Sequence, residues 1–220
     1  MRPVRPGRNV SYSVEYGFAW LRVAKVGTRS LNGLLRDEVM DYVYLTRRDP
    51  VPPEGLSLLS GQGYRFAIVR NPWDRLFSAW ANKIRGQSRD DRRVTRLGRT
   101  AEPSAVAAAL TDFPSFVRLL EASTLFEHDC HFQPQAQILQ SIELDFVGRF
   151  ERYVESVGHA LEVVGLGQLT TSLGHRNRTS DGSHYSTRYD EETRDTVARL
   201  YAADIERWGY EFEHTPMGDV

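Results

Sequence analysis

Apolar residues occur along the chain as short continuous runs, and a stretch with helical spacing follows each of the main runs. The first run, Tyr16 to Val23, is aromatic and β-branched enough for a buried strand. After it, a helix is predicted from apolar positions at helical spacing: Leu31, Leu34, Leu35 and Val39. Between strand and helix lies a short loop, Lys25 to Ser30, in which Thr28 can cap the first turn. The pattern therefore predicts a strand, a tight loop and a helix.

The same pattern repeats at Phe66 to Val69, a continuous apolar run typical of a strand covered on both faces. Asn71 can cap the helix that follows, and Pro72 suits its first position. One face of this helix is apolar and is predicted to pack: Trp73, Leu76, Phe77 and Trp80. The opposite face is polar and is predicted to be able to bind: Asn71, Asp74 or Arg75, and Ser78.

Weaker patterns complete the prediction. Short strands are expected at Tyr42 to Leu45 and at Leu144 to Phe150, and an amphipathic helix follows the second of them. Helical spacing also covers Thr111 to Leu125 and a final segment from Asp190 to Trp208. By contrast, Arg85 to Arg99 carries six arginines without apolar periodicity, which predicts a mobile loop.

Strands that alternate with helices predict an α/β fold: a single domain over residues 1–220 with a mainly parallel central sheet flanked by helices. Ligands of such sheets bind at the carboxyl ends of the strands. The loops at Lys25 and Arg70 both follow predicted strands, so we expect both at that edge.

Composition limits the classes of partner. The chain has 28 basic and 29 acidic residues, which gives no overall field for nucleic acid or anionic lipid. A single cysteine, Cys130, excludes an internal disulfide. No segment has the length of apolar sequence that a membrane span needs, and Met1 to Arg8 lacks the apolar core of a secretion signal. We therefore expect a cytoplasmic protein whose anion chemistry is local.

The loop from Lys25 to Ser30 has the features of an anion site. Only two of the basic residues are lysines, Lys25 and Lys83, so a lysine here indicates a specific role. Gly27 permits close backbone approach, and the following helix directs N–H groups and the positive end of its dipole at one point. The lysine precedes the glycine, unlike in a Walker loop, which disfavours an ATP kinase. The alternative is that the charges are solvated beside a structural turn.

A second anion site is predicted where the next strand ends. Arg70 follows that strand, and Ser78 lies on the polar face of the next helix, so together they can bind a phosphate. The structural alternative pairs Arg70 with Asp74 and leaves Ser78 as a neutral helix residue. Two anion loops at one sheet edge favour the functional interpretation.

These motifs resemble the sulfotransferases that use 3′-phosphoadenosine 5′-phosphosulfate (PAPS), and especially their carbohydrate sulfotransferase branch, sulfotransferase family 2. Lys25–Leu31 is similar to the family's 5′-phosphosulfate loop, and Ile68–Trp80 to its 3′-phosphate motif. Shorter similarities extend over most of the chain: Thr111–Phe116, His131–Gln135, Asp145–Glu151, Tyr201–Asp204 and Trp208–Tyr210. The chain lacks the membrane anchor and paired cysteines of Golgi members, so it resembles a soluble, bacterial-type member.

The resemblance implies a P-loop-like fold and in-line transfer of a sulfuryl group from PAPS to an acceptor hydroxyl, without a metal. Lys25 would stabilise the leaving phosphate oxygen, together with the N–H groups of the loop. The loop residues implied in donor binding are Lys25, Val26, Gly27, Thr28, Arg29 and Ser30. Arg70 and Ser78 would hold the 3′-phosphate. Arg176 or Arg178, in the polar segment His175–Ser180, would reach the same phosphate from a segment that closes over the nucleotide. The structural alternative is a solvated arginine loop.

The acceptor hydroxyl needs a base, and the resemblance implies His131, which precedes Gln133–Gln135 in the acceptor-side segment. His128, Glu127 and Asp129 are the rivals. The structural alternative is that these are packed or surface residues. A zinc site is disfavoured because the two histidines and Cys130 lack a fourth ligand at suitable spacing.

Three questions stay open at this point. The arginines of Arg85–Arg99 either bind an acidic acceptor or are simply solvated. The acceptor is expected to be a saccharide or a small hydroxylated metabolite, and the oligomeric state is not predicted. A nucleotide-binding module without catalysis and an ATP-dependent kinase of related fold are the alternative functions, while a nucleic-acid binder is disfavoured by the charge.

Overall fold

A computed structural model describes residues 9–88, 91–99, 101–140, 142–173 and 184–213. The strands are β1 (Val10–Ser13), β2 (Phe18–Leu21), β3 (Val43–Leu45), β4 (Tyr64–Val69) and β5 (Phe146–Arg149). The α-helices are α1 (Thr28–Glu38), α2 (Pro53–Ser57), α3 (Pro72–Lys83), α4 (Arg92–Leu97), α5 (Pro103–Ala109), α6 (Phe113–Glu121), α7 (Leu125–His128), α8 (Gln135–Ile138), α9 (Tyr153–Val163), α10 (Glu191–Leu200) and α11 (Ala202–Trp208). Shorter 3₁₀ or π turns are Leu58–Gln62, Phe150–Arg152, Gly167–Ser172 and Tyr185–Arg188.

The described residues form two compact units. The first takes the chain up to Arg70 and again from Ile138 to Leu173, and the second takes Asn71–Gln137 and the residues from His184 onward. The first unit contains the sheet, and the second is helical. A single domain over residues 1–220 stays a prediction.

The sheet of the first unit has five strands in the order β3-β1-β2-β4-β5. Its core is parallel, since β4 pairs in parallel with both β2 and β5. The edge is antiparallel, because β1 pairs antiparallel with β2 and with β3. The α/β class with a sheet flanked by helices is confirmed, and the sheet is mixed around a parallel core.

Strand β1 was not predicted, because its two serines interrupt the apolar pattern. Ser11 and Ser13 alternate with apolar positions, yet both serines are buried. Asp41 supports the burial of Ser13: it accepts a hydrogen bond from the Ser13 hydroxyl and one from the main-chain N–H of Val14 at 2.7 Å. The next residues turn through Gly17, whose φ is 61°, and return as β2. The antiparallel hairpin thus includes polar contacts to a distant residue, which an apolar run does not reveal.

Aromatic residues on neighbouring strands fill the core of the first unit. The rings of Trp20 and Phe66 stack 6.1 Å apart across the parallel pair β2 and β4. Helix α9 packs on β5 so closely that a Cβ on Gly148 would lie 2.6 Å from the Cβ of Ser156. Ser156 also exchanges hydrogen bonds with the main chain of Arg149 at 2.9 and 3.0 Å. These contacts fix the carboxyl end of β5.

An aromatic cluster forms the core of the second unit. Phe113 is 3% exposed, and its ring meets those of Phe77, Trp80 and Tyr189 edge-on. The helix that begins with Phe113 is capped by Asp112, which accepts a hydrogen bond from the third helical N–H at 2.9 Å. The packing thus joins α3 and α6 within this unit.

The segment Arg85–Arg99 differs from its prediction as a mobile loop. Its residues 92–97 form α4, whose N-cap Asp91 accepts a hydrogen bond from the Arg93 N–H at 2.8 Å. Val94 and Leu97 are buried. Two apolar residues on a short capped helix are enough to bury one face, but they give no periodicity that a sequence pattern can detect.

Element ends agree with the sequence in several places. Asn71 caps α3 and Pro72 is its first residue, as predicted. The final helical segment is divided at Tyr201 into α10 and α11, and it ends at Gly209 in the left-handed conformation. No helix of the described ranges could cross a bilayer, the longest of them having 12 residues.

Candidate active site

The loop between β2 and α1 has two left-handed backbone positions, Lys25 with φ of 74° and Gly27 with φ of 76°. Among the residues that the structure describes, Lys25 is the one non-glycine residue with a positive φ. This conformation costs a non-glycine residue about 1 kcal/mol or more, and it persists where neighbouring contacts hold it. The backbone strain therefore lies at Lys25, the residue for which the sequence analysis predicts a specific role.

Two distant side chains of the first unit bond to the carbonyl oxygens of this loop. Arg70 Nη1 donates to the Lys25 oxygen, and the Tyr153 hydroxyl donates to the Gly27 oxygen, both at 2.9 Å. Burial raises the pKa of Tyr153 to about 12, so its hydroxyl keeps the proton that it donates. A Cβ on Gly27 would lie only 2.5 Å from the Tyr153 ring. Glycine is required there by both its φ and the ring.

Thr28 does not cap α1, contrary to the prediction. Gly27 is the N-cap, and its left-handed conformation makes Thr28 the first helical residue. The Thr28 hydroxyl instead donates to the Val23 oxygen at 2.7 Å, which binds the helix start to the end of the strand region.

The remaining loop residues differ in their access to solvent. The Val26 side chain is buried, Arg29 is exposed, and Lys25 and Ser30 are half-buried. No acidic residue stands in the first turn of α1, so no carboxylate of that turn offsets the positive end of the helix dipole. An anion fits this place, and Val26 has only its main chain to offer it.

Arg70 lies where β4 ends, beside the loop that follows β2. It is 8% exposed, and its guanidinium carbon lies 4.3 Å from the centre of the Phe150 ring. The bond from Arg70 to the Lys25 oxygen joins the two loops, as the parallel pairing of β2 and β4 requires. A guanidinium has five N–H donors, so a bond to one carbonyl is compatible with anion binding.

Ser78 occupies the middle of α3 in the second unit. It is 4% exposed, and its Oγ has no hydrogen-bond partner among the described residues. A buried hydroxyl without a partner costs free energy, about 1 to 3 kcal/mol by the usual range. A phosphate oxygen would supply the missing bond, so Ser78 fits the phosphate role that the resemblance implies.

The polar face of α3, which was predicted to be able to bind, is largely buried. Arg75 is fully buried, and its guanidinium donates to the main-chain oxygens of Gln133 at 2.9 Å and Cys130 at 3.0 Å. Asn71 is 1% exposed. This face therefore supports another segment, residues 129–136, rather than a ligand along its whole length.

His131 lies in that segment and is paired with Asp129. The Asp129 oxygen Oδ1 is 2.7 Å from the His131 ring nitrogen Nδ1 and accepts the His131 main-chain N–H at 3.0 Å. The other oxygen, Oδ2, is 2.8 Å from Nε of Arg93. The Asp129 carboxylate is thus engaged on both sides.

The two charges of the pair shift each other's pKa. Burial alone would raise the pKa of Asp129, but hydrogen bonds from His131 and the positive charges of His131 and Arg93 hold it well below its usual range. Burial alone would lower the pKa of His131, but the bond to Asp129, the adjacent Cys130 and the Asp129 charge raise it. An ionised carboxylate only accepts, so Nδ1 donates, and Nε2 is left to exchange a proton.

The rivals of His131 lie in different surroundings. The side chains of His128 and Glu127 are 59% and 67% exposed, and they face each other at 3.6 Å. Asp129 is already hydrogen-bonded to His131 and ion-paired with Arg93. Of the four candidate bases, His131 alone combines a charge partner with a half-buried ring.

Sequence reasoning missed the residues that hold the segment after His131. Asp204 is fully buried and accepts the main-chain N–H groups of Gln135 at 2.9 Å and Ala136 at 2.7 Å. The Tyr201 hydroxyl donates to the Phe132 oxygen. Asp204 and Tyr201 belong to one of the short similarities to the family, which was the available signal.

Asp129, Cys130 and His131 place three possible metal-ligand atoms within 4.8 Å of one another. The Asp129 oxygens already face His131 and the Arg93 guanidinium. A guanidinium at that distance repels a cation, so the geometry fits an ion-pair network better than a metal site.

The predicted site residues divide between the units. Lys25 to Ser30 and Arg70 belong to the first unit, and Ser78 and the predicted base His131 to the second. Arg176, with the rest of His175–Ser180, lies outside the described residues.

Comparison with known proteins gives one family. The family model described as "Sulfotransferase family" matches residues 8–211. Carbohydrate sulfotransferase 14 of Mus musculus and of Homo sapiens are each 31% identical over 157 residues, which is 66% of this chain and 40% of theirs. The Danio rerio protein of that name is 29% identical over 161 residues, 68% of this chain and 43% of its own.

The chain thus spans about two fifths of the length of these curated relatives. No solved structure is significantly similar to it. The family match includes the loop at Lys25, the strand end at Arg70 and the segment of His131. The chain therefore belongs to the sulfotransferase family.

Proposed function

We propose that the protein transfers a sulfuryl group from PAPS to a hydroxyl group of a saccharide or other small metabolite, releasing adenosine 3′,5′-bisphosphate. The observation that carries this proposal is the bond from Arg70 to the Lys25 oxygen, which joins the two anion loops at one edge of the sheet. Family membership implies PAPS as the co-substrate.

The donor's 5′ end is assigned to the loop after β2. The N-terminus of α1 has no acidic residue in its first turn, so its N–H groups and dipole favour the phosphosulfate. Lys25 supplies a mobile positive charge for the phosphate oxygen that gains charge as the S–O bond breaks. The other loop contributors are Val26, Gly27, Thr28, Arg29 and Ser30.

The 3′-phosphate is assigned to Arg70 and Ser78. A guanidinium and a buried hydroxyl that lacks a partner match a doubly charged phosphate. Bonds to a charged group are worth about 1.5 to 3 kcal/mol each. Arg176 is proposed as a further contact to this phosphate on the resemblance alone.

His131 is assigned the role of general base. The acceptor oxygen forms a bond to sulfur while the bond from sulfur to the bridging oxygen breaks, and the hydroxyl proton passes to Nε2 of His131. Asp129 holds the opposite ring nitrogen, which leaves Nε2 as the proton acceptor. Base assistance of this kind contributes about 100- to 10,000-fold in rate.

The names of the relatives support a saccharide acceptor. They are named carbohydrate sulfotransferases, which favours a saccharide, while they are only about 30% identical to this chain. A cytoplasmic location and a bacterial source stay predictions from the sequence.

Turnover of PAPS in the presence of EDTA tests the proposal. The purified protein is incubated with PAPS and a panel of mono- and oligosaccharides, and bisphosphate and sulfated product are measured together. We expect equal amounts of both products, unaffected by the chelator.

Two results would contradict the proposal. Binding of the bisphosphate without consumption of PAPS by any acceptor favours a nucleotide-binding module. Turnover of ATP that requires magnesium favours a kinase.

A further inference from the structure

The arginine-rich segment predicted as a loop contributes one buried side chain to the surroundings of His131. Arg93 lies on α4, and its side chain is 12% exposed, whereas Arg92 beside it is exposed. Val94 and Leu97 hold the helix in place by their burial. The packing of α4 therefore fixes the position of Arg93.

Arg93 and His131 contact different oxygens of the same carboxylate, that of Asp129. Oδ2 of Asp129 is 2.8 Å from the Arg93 Nε, and Oδ1 is 2.7 Å from the His131 Nδ1. The Asp129 side chain is 9% exposed, so water competes little for either contact. With one partner for each oxygen, the carboxylate has a single favourable orientation.

We propose that Asp129 and Arg93 are positioning residues for His131. Asp129 fixes the tautomer and direction of the ring, and Arg93 fixes the direction of Asp129 and offsets part of its charge. The inference deepens the proposed function and rests on it, because it assumes that His131 accepts the acceptor proton.

The charges give the two positioning residues opposite effects on the proton affinity of His131. Asp129 stabilises the protonated ring, so its loss lowers the pKa of His131. Arg93 partly cancels the Asp129 charge, so its loss leaves the carboxylate charge uncompensated and raises that pKa further. A merely structural role would not produce opposite shifts.

Other groups that contact the segment do not alter the sign. Cys130 is adjacent to His131, with its sulfur 3.9 Å from Nδ1. Arg75 of α3 donates to the main-chain oxygen of Cys130, and Tyr201 donates to that of Phe132. These contacts are unchanged by neutral replacements of Asp129 or Arg93.

The experiment titrates the His131 ring by NMR in the wild-type protein, Asp129→Asn, Arg93→Gln and the matched control Arg92→Gln. Arg92→Gln removes the same charge from the same helix at an exposed position. We expect a lower pKa in Asp129→Asn, a higher one in Arg93→Gln, and no shift in the control. Arg93→Lys, which keeps the charge, should restore the wild-type value in part.

The same variants are assayed for sulfuryl transfer across pH. The rise of kcat/KM with pH should move in the direction of the ring titration, and kcat of Asp129→Asn should fall about 100-fold or more. Should Asp129→Asn fail to fold, the Arg93 variants still decide the sign.

The outcomes separate the two claims. If the wild-type protein is active but the pKa of His131 is unchanged in the variants, or moves in the same direction in both, the inference is overturned. The proposed function then still stands. Wild-type protein that turns over no PAPS overturns the proposed function, and the inference with it, whatever the titration shows.

Discussion

The donor loop at Lys25 and the segment at His131 are held in place by different kinds of contact. The loop is held through its carbonyl oxygens, by Arg70 and Tyr153. Burial raises the pKa of Tyr153 to about 12, so its hydroxyl keeps the donated proton near neutral pH. The loop's geometry should therefore be insensitive to pH over the working range.

By contrast, ionisable side chains hold the His131 segment. Asp129 carries the contacts to His131 and Arg93, and Asp204 accepts the N–H groups that follow. These contacts depend on which groups are ionised. The proposed site for the donor is thus held through main-chain oxygens, and the proposed site of proton transfer is held through ionisable groups.

Replacing Lys25 by alanine should have the largest effect on activity. The side chain is proposed to stabilise the leaving oxygen, so kcat should fall by about two to three orders of magnitude, with a smaller loss of bisphosphate affinity. Steady-state kinetics and calorimetry measure the two effects. Lys83→Ala removes the other lysine and serves as the control. Equal losses in both variants would argue against a specific role.

Asp129→Asn should lower stability in a pH-dependent way. A buried ion pair that loses one partner costs about 3 kcal/mol. Because the pKa of Asp129 is lowered in the folded protein, its contribution to stability is lost as pH falls below about 3.9. Because the pKa of His131 is raised in the folded protein, the contribution of the pair to stability is lost as pH rises above about 6.5.

Urea unfolding of wild type and Asp129→Asn between pH 3 and 9 measures this dependence. The difference in unfolding free energy should be largest from about pH 4 to 6.5 and smaller on either side. A difference that is flat over this range would show that the contact is not electrostatic.

Gly27→Ala tests the close packing at the donor loop. The added Cβ would lie 2.5 Å from the Tyr153 ring, and alanine would have to adopt a φ of 76°. We therefore expect the free energy of unfolding to fall by about 2 kcal/mol or more. Gly165→Ala is a matched control, since its φ is 77° and nothing lies within 4 Å of an added Cβ. It should lose only about 1 kcal/mol for the backbone alone. Equal losses would mean that the ring does not constrain the loop.

Tyr153→Phe should have the smallest effect. It keeps the ring and removes one hydrogen bond to the Gly27 oxygen, worth about 1 kcal/mol. The KM for PAPS should rise about fivefold with kcat nearly unchanged, equally at pH 6 and pH 8. A pH-dependent change would contradict the distinction between the two regions.

The parts of the fold that sequence could predict are those with continuous apolar runs. Strands β2 and β4, with the helices after them, follow from burial on both faces. Strand β1 and helix α4 did not, because β1 carries two buried serines, of which Ser13 bonds to the distant Asp41, and α4 has only two buried residues.

The site follows the same division. Lys25 and Arg70 could be predicted, because their chemistry stands in local motifs at strand ends. Tyr153 could not, since its contact with Gly27 spans 126 positions and nothing in its own neighbourhood indicates it. The ion pair of Arg93 could not be predicted either. Arg93 is one of six arginines in Arg85–Arg99, and only its packing distinguishes it from the others.

Selective stabilisation by adenosine 3′,5′-bisphosphate over ADP tests the central claim most directly, because both ligands carry two phosphates but only the bisphosphate has the 3′-phosphate assigned to Arg70 and Ser78. At about 100 times its Kd, the bisphosphate should add close to 2.7 kcal/mol of stability to the wild-type protein, and ADP much less. Ser78→Ala should keep the stability of the free protein, since its Oγ has no partner to lose, and should reduce the bisphosphate effect. Equal stabilisation by both nucleotides, unchanged in Ser78→Ala, would contradict the account.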